Sequence, residues 1–123
     1  MSQATTTTSA VADLQSLIPT PANTRRTDGP DSIHDNGIHL HFLVNGSAMD
    51  VMGAYKAGIQ GKGWSLIVDS SSGNGDGGTA TYTASNGNAF GVFTGGGFGA
   101  TTDIDACAWP SNPASTDCGH GNR

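Results

Sequence analysis

The sequence predicts an α+β domain, with one main helix packed on one face of a mainly antiparallel sheet of about five strands in the order β-α-β-β-β-β. Three observations lead there. Apolar residues recur at steps of three and four from Ala48 to Ile59, the spacing of one helix face. Runs that alternate, or that are rich in β-branched and aromatic residues, precede that stretch once and follow it four times. Clusters of Gly, Asn and Ser separate the runs, as turns require. A chain of 123 residues holds one core, because a second domain needs about 50 residues of its own.

Residues 1–10 form a Thr/Ser tract too polar to pack, expected to be a flexible tether. Val11, Leu14, Leu17 and Ile18 have helical spacing and are stopped by Pro19 and Pro21, which predicts a short helix docked on the domain. The following stretch to Asn36, with Arg25, Arg26, Asp28, Gly29 and Pro30, reads as a polar surface loop. Residues 11–36 are therefore expected to be a short helix and a loop leading into a domain at 37–106.

In that domain Ile38, Leu40, Phe42 and Val44 share one face of the first strand, and His39, His41 and Leu43 share the other. Asn45-Gly46 breaks the strand, and Ser47 with Asp50 three residues on resembles a capping box. Val51, Met52, Tyr55 and Ile59 continue the helix stripe, and Gly61 or Gly63 ends it. Trp64 to Asp69 is the second strand, with Trp64, Leu66 and Val68 toward the helix, and 70–78 reads as a flexible hairpin loop. Thr79 to Ala84 and Ala89 to Thr94 form a hairpin around Asn86-Gly87. Gly95-Gly96-Gly97-Phe98-Gly99 reads as a turn needing positive φ, and Ala100 to Ala106 is the last strand. The helix crossover makes the first two strands run the same way, which favours the first strand lying antiparallel to the last, with direct pairing of the first two as the alternative.

Composition narrows the function. Only 12% of residues are charged, and all ten acidic residues are Asp, a secreted look. A net charge of −5 with five Lys plus Arg cannot build a phosphate-neutralising stripe, so nucleic acid is excluded as a partner. No apolar run approaches the roughly 20 residues of a transmembrane helix. Cys107 and Cys118 flank a Pro/Ser/Asn/Asp-rich loop, and closing such a loop contributes roughly 3 kcal/mol, so a disulfide pinning a tail at 107–123 is expected. A zinc site built from these two and His120 lacks the short paired spacing such sites use. The disulfide implies an oxidising, extracytoplasmic compartment, secreted or cell-envelope. The first ten residues have neither a basic nor an apolar signal region, so the chain is expected to be a mature segment without its export signal.

The run Val51-Met52-Gly53-Ala54-Tyr55-Lys56, then Gly63-Trp64, a Gly/Ser loop, a hairpin, and Gly99-Ala100-Thr101-Thr102-Asp103-Ile104 resembles a domain of small uncharacterised exported or lipid-anchored, lipoprotein-like actinobacterial proteins. The resemblance covers about residues 37–106, its motifs are structural, and it implies a fold and a compartment without catalytic residues.

His39 and His41 stand on one strand face, with Cα atoms about 7 Å apart, as strand-borne metal ligands do. If the first and last strands pair, Asp103 and Asp105 join them, giving either a His/Asp metal cluster or simply a wet face with weak His–Asp pairing. Gly73 to Gly78 is a single copy of a calcium-type glycine repeat, which needs tandem copies. Gly95 to Gly99 has no Lys-Ser/Thr to make a phosphate loop. No Gly-x-Ser-x-Gly marks a nucleophile, and Asp103 with Asp105 lacks a cleft for glycosidase chemistry. The reading that results is a non-enzymatic exported domain with no cofactor, binding an envelope or extracellular protein or small ligand. The candidate binding face is His39, His41, Thr81, Thr83, Asp103 and Asp105; the alternative is a metal-binding or metal-dependent role of His39, His41, Asp103 and Asp105.

Overall fold

The computed structural model describes residues 14–74 and 77–114. A helical turn over residues 14–17 precedes β1 (Thr24–Ile33), a 3-10 turn (His34–Asn36), β2 (Gly37–Asn45), α1 (Ala48–Gly61), β3 (Ser65–Asn74), β4 (Gly77–Asn86), β5 (Ala89–Phe98) and β6 (Thr101–Trp109). The strands form one sheet in the order β1-β2-β6-β5-β4-β3, and every neighbouring pair is antiparallel. The α+β class is as expected, with six strands in place of about five. The first expected strand, β2, does lie against the last, β6, and three strands separate it from β3.

The additional strand is β1, which the sequence presented as a loop. Pro, Gly and charged residues are tolerated at a sheet edge, where one side of the strand needs no ladder. Its register with β2 slips between Thr24 and Arg26 and again between Asp28 and Asp31, around Gly29 and Pro30. The sheet thus extends beyond 37–106 at both ends, from Thr24 to Trp109. The expected tether at 1–10 and Val11 lie outside the described residues.

α1 crosses from β2 to β3 over the strands between them. Its stripe of Ala48, Met52, Tyr55 and Ile59 is buried against Leu40, Phe42, Tyr82, Phe93 and Ile104 in one hydrophobic core. Ser47 stands at the N-cap without the expected side-chain bond, while its carbonyl accepts from Val51 N at 2.8 Å. At the other end Gly63, at φ 98, completes a Schellman turn: Gly63 N donates to Gln60 O and Trp64 N to Ile59 O. That turn throws Trp64 back over the core beside Ile59, both buried.

β5 lets the helix come close. Gly95 was expected in a turn, yet β5 runs extended through it to Phe98, and positive φ waits for Gly99. A Cβ at Gly95 would collide with the Met52 sulfur, and one at Gly91 with the Trp64 ring. The missing side chains are steric room rather than turn geometry. Phe93 stands between these glycines, edge-on to Tyr55 and Trp64 at 6.0 Å and 5.3 Å.

The amino-terminal segment closes the same core. Leu14 and Ile18 are buried in it, and two aromatic heads hold the backbone that follows. Tyr55 Oη donates to Pro19 O at 2.8 Å and Trp64 Nε1 to Leu17 O at 2.8 Å. Burial pushes the Tyr55 hydroxyl far above its ordinary pKa, which keeps it a donor.

On the other sheet edge the expected 70–78 loop is instead the continuation of β3 and the start of β4, paired from Ser70 with Thr81 to Asn74 with Gly77. A bulge at Ile67 shifts the alternation, so Val68 pairs with Thr83 on the face away from α1, and Asp69 turns to the helix side to meet Lys56.

Candidate functional site

The sheet face opposite α1 carries the residues singled out from sequence. Alternation in β2 sends Ile38, Leu40, Phe42 and Val44 to the core and leaves His39, His41 and Leu43 on this face. In β6, Ile104, Ala106 and Ala108 go in, leaving Asp103, Asp105, Cys107 and Trp109. The β2–β6 register sets His41 opposite Asp105 and His39 opposite Cys107.

The imidazoles reach diagonally rather than straight across. His39 Nε2 lies 2.7 Å from Asp105 Oδ1, with the histidine buried. His41 Nε2 lies 2.9 Å from Asp103 Oδ1, and its Nδ1 is 3.4 Å from Asp28 Oδ2 on β1. Arg26 Nε in turn meets Asp28 Oδ1 at 3.1 Å. The expected four-residue set therefore resolves into two pairs, one of them extended through Asp28 to Arg26.

The set His39, His41, Asp103 and Asp105, the metal cluster of the alternative reading, is arranged as separate His–Asp pairs. Each Nε2 points to its own carboxylate, and among the described residues no group of three or more His, Cys, Asp or Glu side chains is placed to hold an ion. His41 lies between Asp28 and Asp103 and meets a carboxylate at each ring nitrogen.

The His41 hydrogen bond, helped by Arg26, holds the Asp28 carboxyl below its ordinary pKa of 3.8. A depressed folded pKa contributes stability that is present above the unfolded value of about 3.9 and is lost as pH falls through the folded value. Asp28→Asn is therefore expected to remove part of the acid sensitivity of the thermal midpoint below about pH 4. Matching melting curves of variant and parent across that range would contradict the coupling.

Beyond β6 the face changes character. Thr94 of β5 pairs with Thr81 of β4, and Thr81 with Ser70 of β3. Thr83, half-buried like Thr81 and Thr94, lies between Val92 and Val68. The β4 and β5 ladder runs without a register break from Asn86–Ala89 to Gly77–Phe98. One half of the face is thus charged, on β1, β2 and β6, and the other is hydroxyl-bearing. The expected binding residues divide between them, with Thr81 and Thr83 in the second half.

A second apolar cluster occupies one end of this face, where a wet surface was expected. Trp109, Cys107 and Val92 are buried there, with Ile33 and Phe90 packed against them. Trp109 Nε1 donates to His34 O at 3.0 Å, and the ring lies where a Cβ on Gly37 would stand. Cys107 is therefore the third residue from the end of a strand rather than the start of a loop, and it is not a free thiol. Cys118, its expected partner, lies outside the described residues. The chain past Pro110 returns across the β1–β2 turn, where Ala114 N donates to Asp35 Oδ2 at 2.9 Å.

Asp28 and Arg26 fall outside the expected site residues because Gly29, Pro30 and the charges of β1 give that strand the composition of a loop. The signal in the sequence was the alternation of Arg26 and Asp28 on one side of an edge strand. No family model matches this chain, and no curated protein or solved structure matches it either.

Proposed function

We propose that this is a non-enzymatic exported domain that binds, or is assembled with, another cell-envelope or extracellular component through the sheet face opposite α1. The observation that carries the reading is the preorganisation of that face. His39 and His41 are each fixed by a carboxylate, on a strand flanked on both sides by hydrogen-bonded neighbours. Rigid, pre-formed polar groups lose little freedom on binding, which is where affinity is otherwise spent. His41 has both ring nitrogens engaged, by Asp28 and by Asp103, and so presents no open nitrogen to an approaching hydroxyl or thiol. Asp28, Asp31, Asp103 and Asp105 outnumber Arg26 as permanent charges on the charged half, so the partner surface is donor-rich and cationic there.

The exported location rests on the all-Asp, charge-poor composition and on a Cys107–Cys118 disulfide, which belongs to the same proposal. The test is site-directed photo-crosslinking in intact cells of the source organism, with the photoreactive residue at Thr81 or, as control, at Gln60 on the exposed side of α1. A discrete adduct from Thr81 and none from Gln60 supports the reading. No adduct at Thr81, or the same adduct from both positions, overturns it.

A further inference from the structure

The two edges of the sheet are built differently. β1 is blunted: Pro30 offers no N–H, the register breaks twice, and Arg25, Arg26, Asp28 and Asp31 line the strand. β3 has little of this protection. From Val68 to Asn74 its ladder with β4 is unbroken, and no strand lies on its outer side among the described residues. The row of outward N–H and C=O groups on such a strand is a template for another strand. Two of the large hydrophobic residues exposed in the structure are neighbours on this edge, Ile67 at 59% and Val68 at 45%. Ile67 also lines an open groove of about 470 Å³ with Ser85, Phe90 and Pro110.

Charge identifies the occupant. The chain has a net charge of −5, so most orientations of two copies are repulsive. Ser65–Asn74 carries one charged residue, Asp69, and Lys56 of the same chain neutralises it. β3 is thus an edge at which two copies meet without opposing charge. A register centred on Ser70 also sets Asp69 opposite Ser71 of the second copy, so the two carboxylates are never direct cross-strand neighbours.

We propose that β3 of one copy pairs antiparallel with β3 of a second copy, about a twofold axis at Ser70, joining two six-stranded sheets into one. The interface is isologous and uses up both unprotected edges, leaving the blunted β1 at each outer end, so assembly stops at two. Its consequence for the open face is direct. The row Thr94, Thr81, Ser70 continues into the same row of the second copy, so the hydroxyl-bearing halves fuse at the centre and the charged halves lie outermost.

Sedimentation velocity of the full chain over a dilution series, beside the Ile67→Lys/Val68→Lys double variant, tests this. The expected result is a reversible monomer–dimer equilibrium for the parent and monomer for the variant, with unchanged far-UV circular dichroism because both side chains are exposed. Hydrogen exchange gives an independent reading: amides of 65–74 in the parent gain protection as concentration rises, while those of β1 do not. A parent that stays monomeric at its highest soluble concentration overturns the proposal. So does a double variant that still dimerises, or a parent that grows past two copies.

Discussion

Replacing Trp109 with alanine is expected to destabilise the fold by about 3–5 kcal/mol, the range for deleting a fully buried aromatic. Trp109 is 0% exposed, on the face of the sheet that α1 does not cover. Its ring fills the space above Gly37, with Phe90 6.3 Å away on one side and His34 5.5 Å away on the other. Deletion leaves a cavity that the neighbouring backbone cannot fill, because Gly37 has no side chain to swing in. It also strips His34 O of the indole donor. Trp109→Phe keeps part of the volume and loses the hydrogen bond, so its cost is expected to be clearly smaller. Equilibrium denaturant unfolding measures both, and a loss below about 1 kcal/mol for the alanine variant would show that the second cluster contributes little.

That residue also shows where the sequence was legible and where it was not. The alternation of Ile104, Ala106 and Ala108 against Asp105, Cys107 and Trp109 continues the last strand without a break, yet Pro110 and the Ser/Asn-rich residues after it masked its end. Periodicity assigned faces correctly in β2 and β6, which is why His39, His41, Asp103 and Asp105 were expected together. It could not choose between straight and diagonal partners, since neighbours depend on register as well as on alternation. The division into His39–Asp105 and His41–Asp103 is set by the β2–β6 register together with the reach of the side chains, which alternation leaves open.

Glycine was legible as a location and misleading as a role. Gly73, Gly95, Gly96 and Gly97 all mark places where the chain was expected to turn, and all lie within strands. At Gly95 and Gly91 the cause sits elsewhere in the sequence, in Met52 and Trp64, which need the room. At β3 the bulge at Ile67 had no signal at all in a run of apolar residues. It reversed the face of Val68 and, with it, created the apolar patch on the sheet edge.

Tyr55 is the position where the helix, the sheet and the amino-terminal segment meet, and truncating it to alanine is expected to cost about 3–5 kcal/mol. It is 3% exposed, edge-on to Phe42 at 6.4 Å and to Phe93 at 6.0 Å, so the ring is shared by β2 and β5. Its hydroxyl holds Pro19 O from across the helix. Tyr55→Phe separates the two contributions. The ring stays, and the loss is expected to be about 1 kcal/mol, that of one buried hydrogen bond with its acceptor left without this donor. The two variants should also differ in kind. In Tyr55→Phe, amide exchange is expected to rise selectively in the segment from Leu14 to Asn23, with β2 and β5 as protected as in the parent; in Tyr55→Ala, exchange rises throughout the core. Denaturant unfolding with site-resolved hydrogen exchange reads both effects. A cost under about half a kcal/mol for the alanine variant contradicts the placement of this ring at the centre of the core. Equal exchange in the segment for parent and phenylalanine variant would mean that Leu14 and Ile18 hold it down without the hydroxyl.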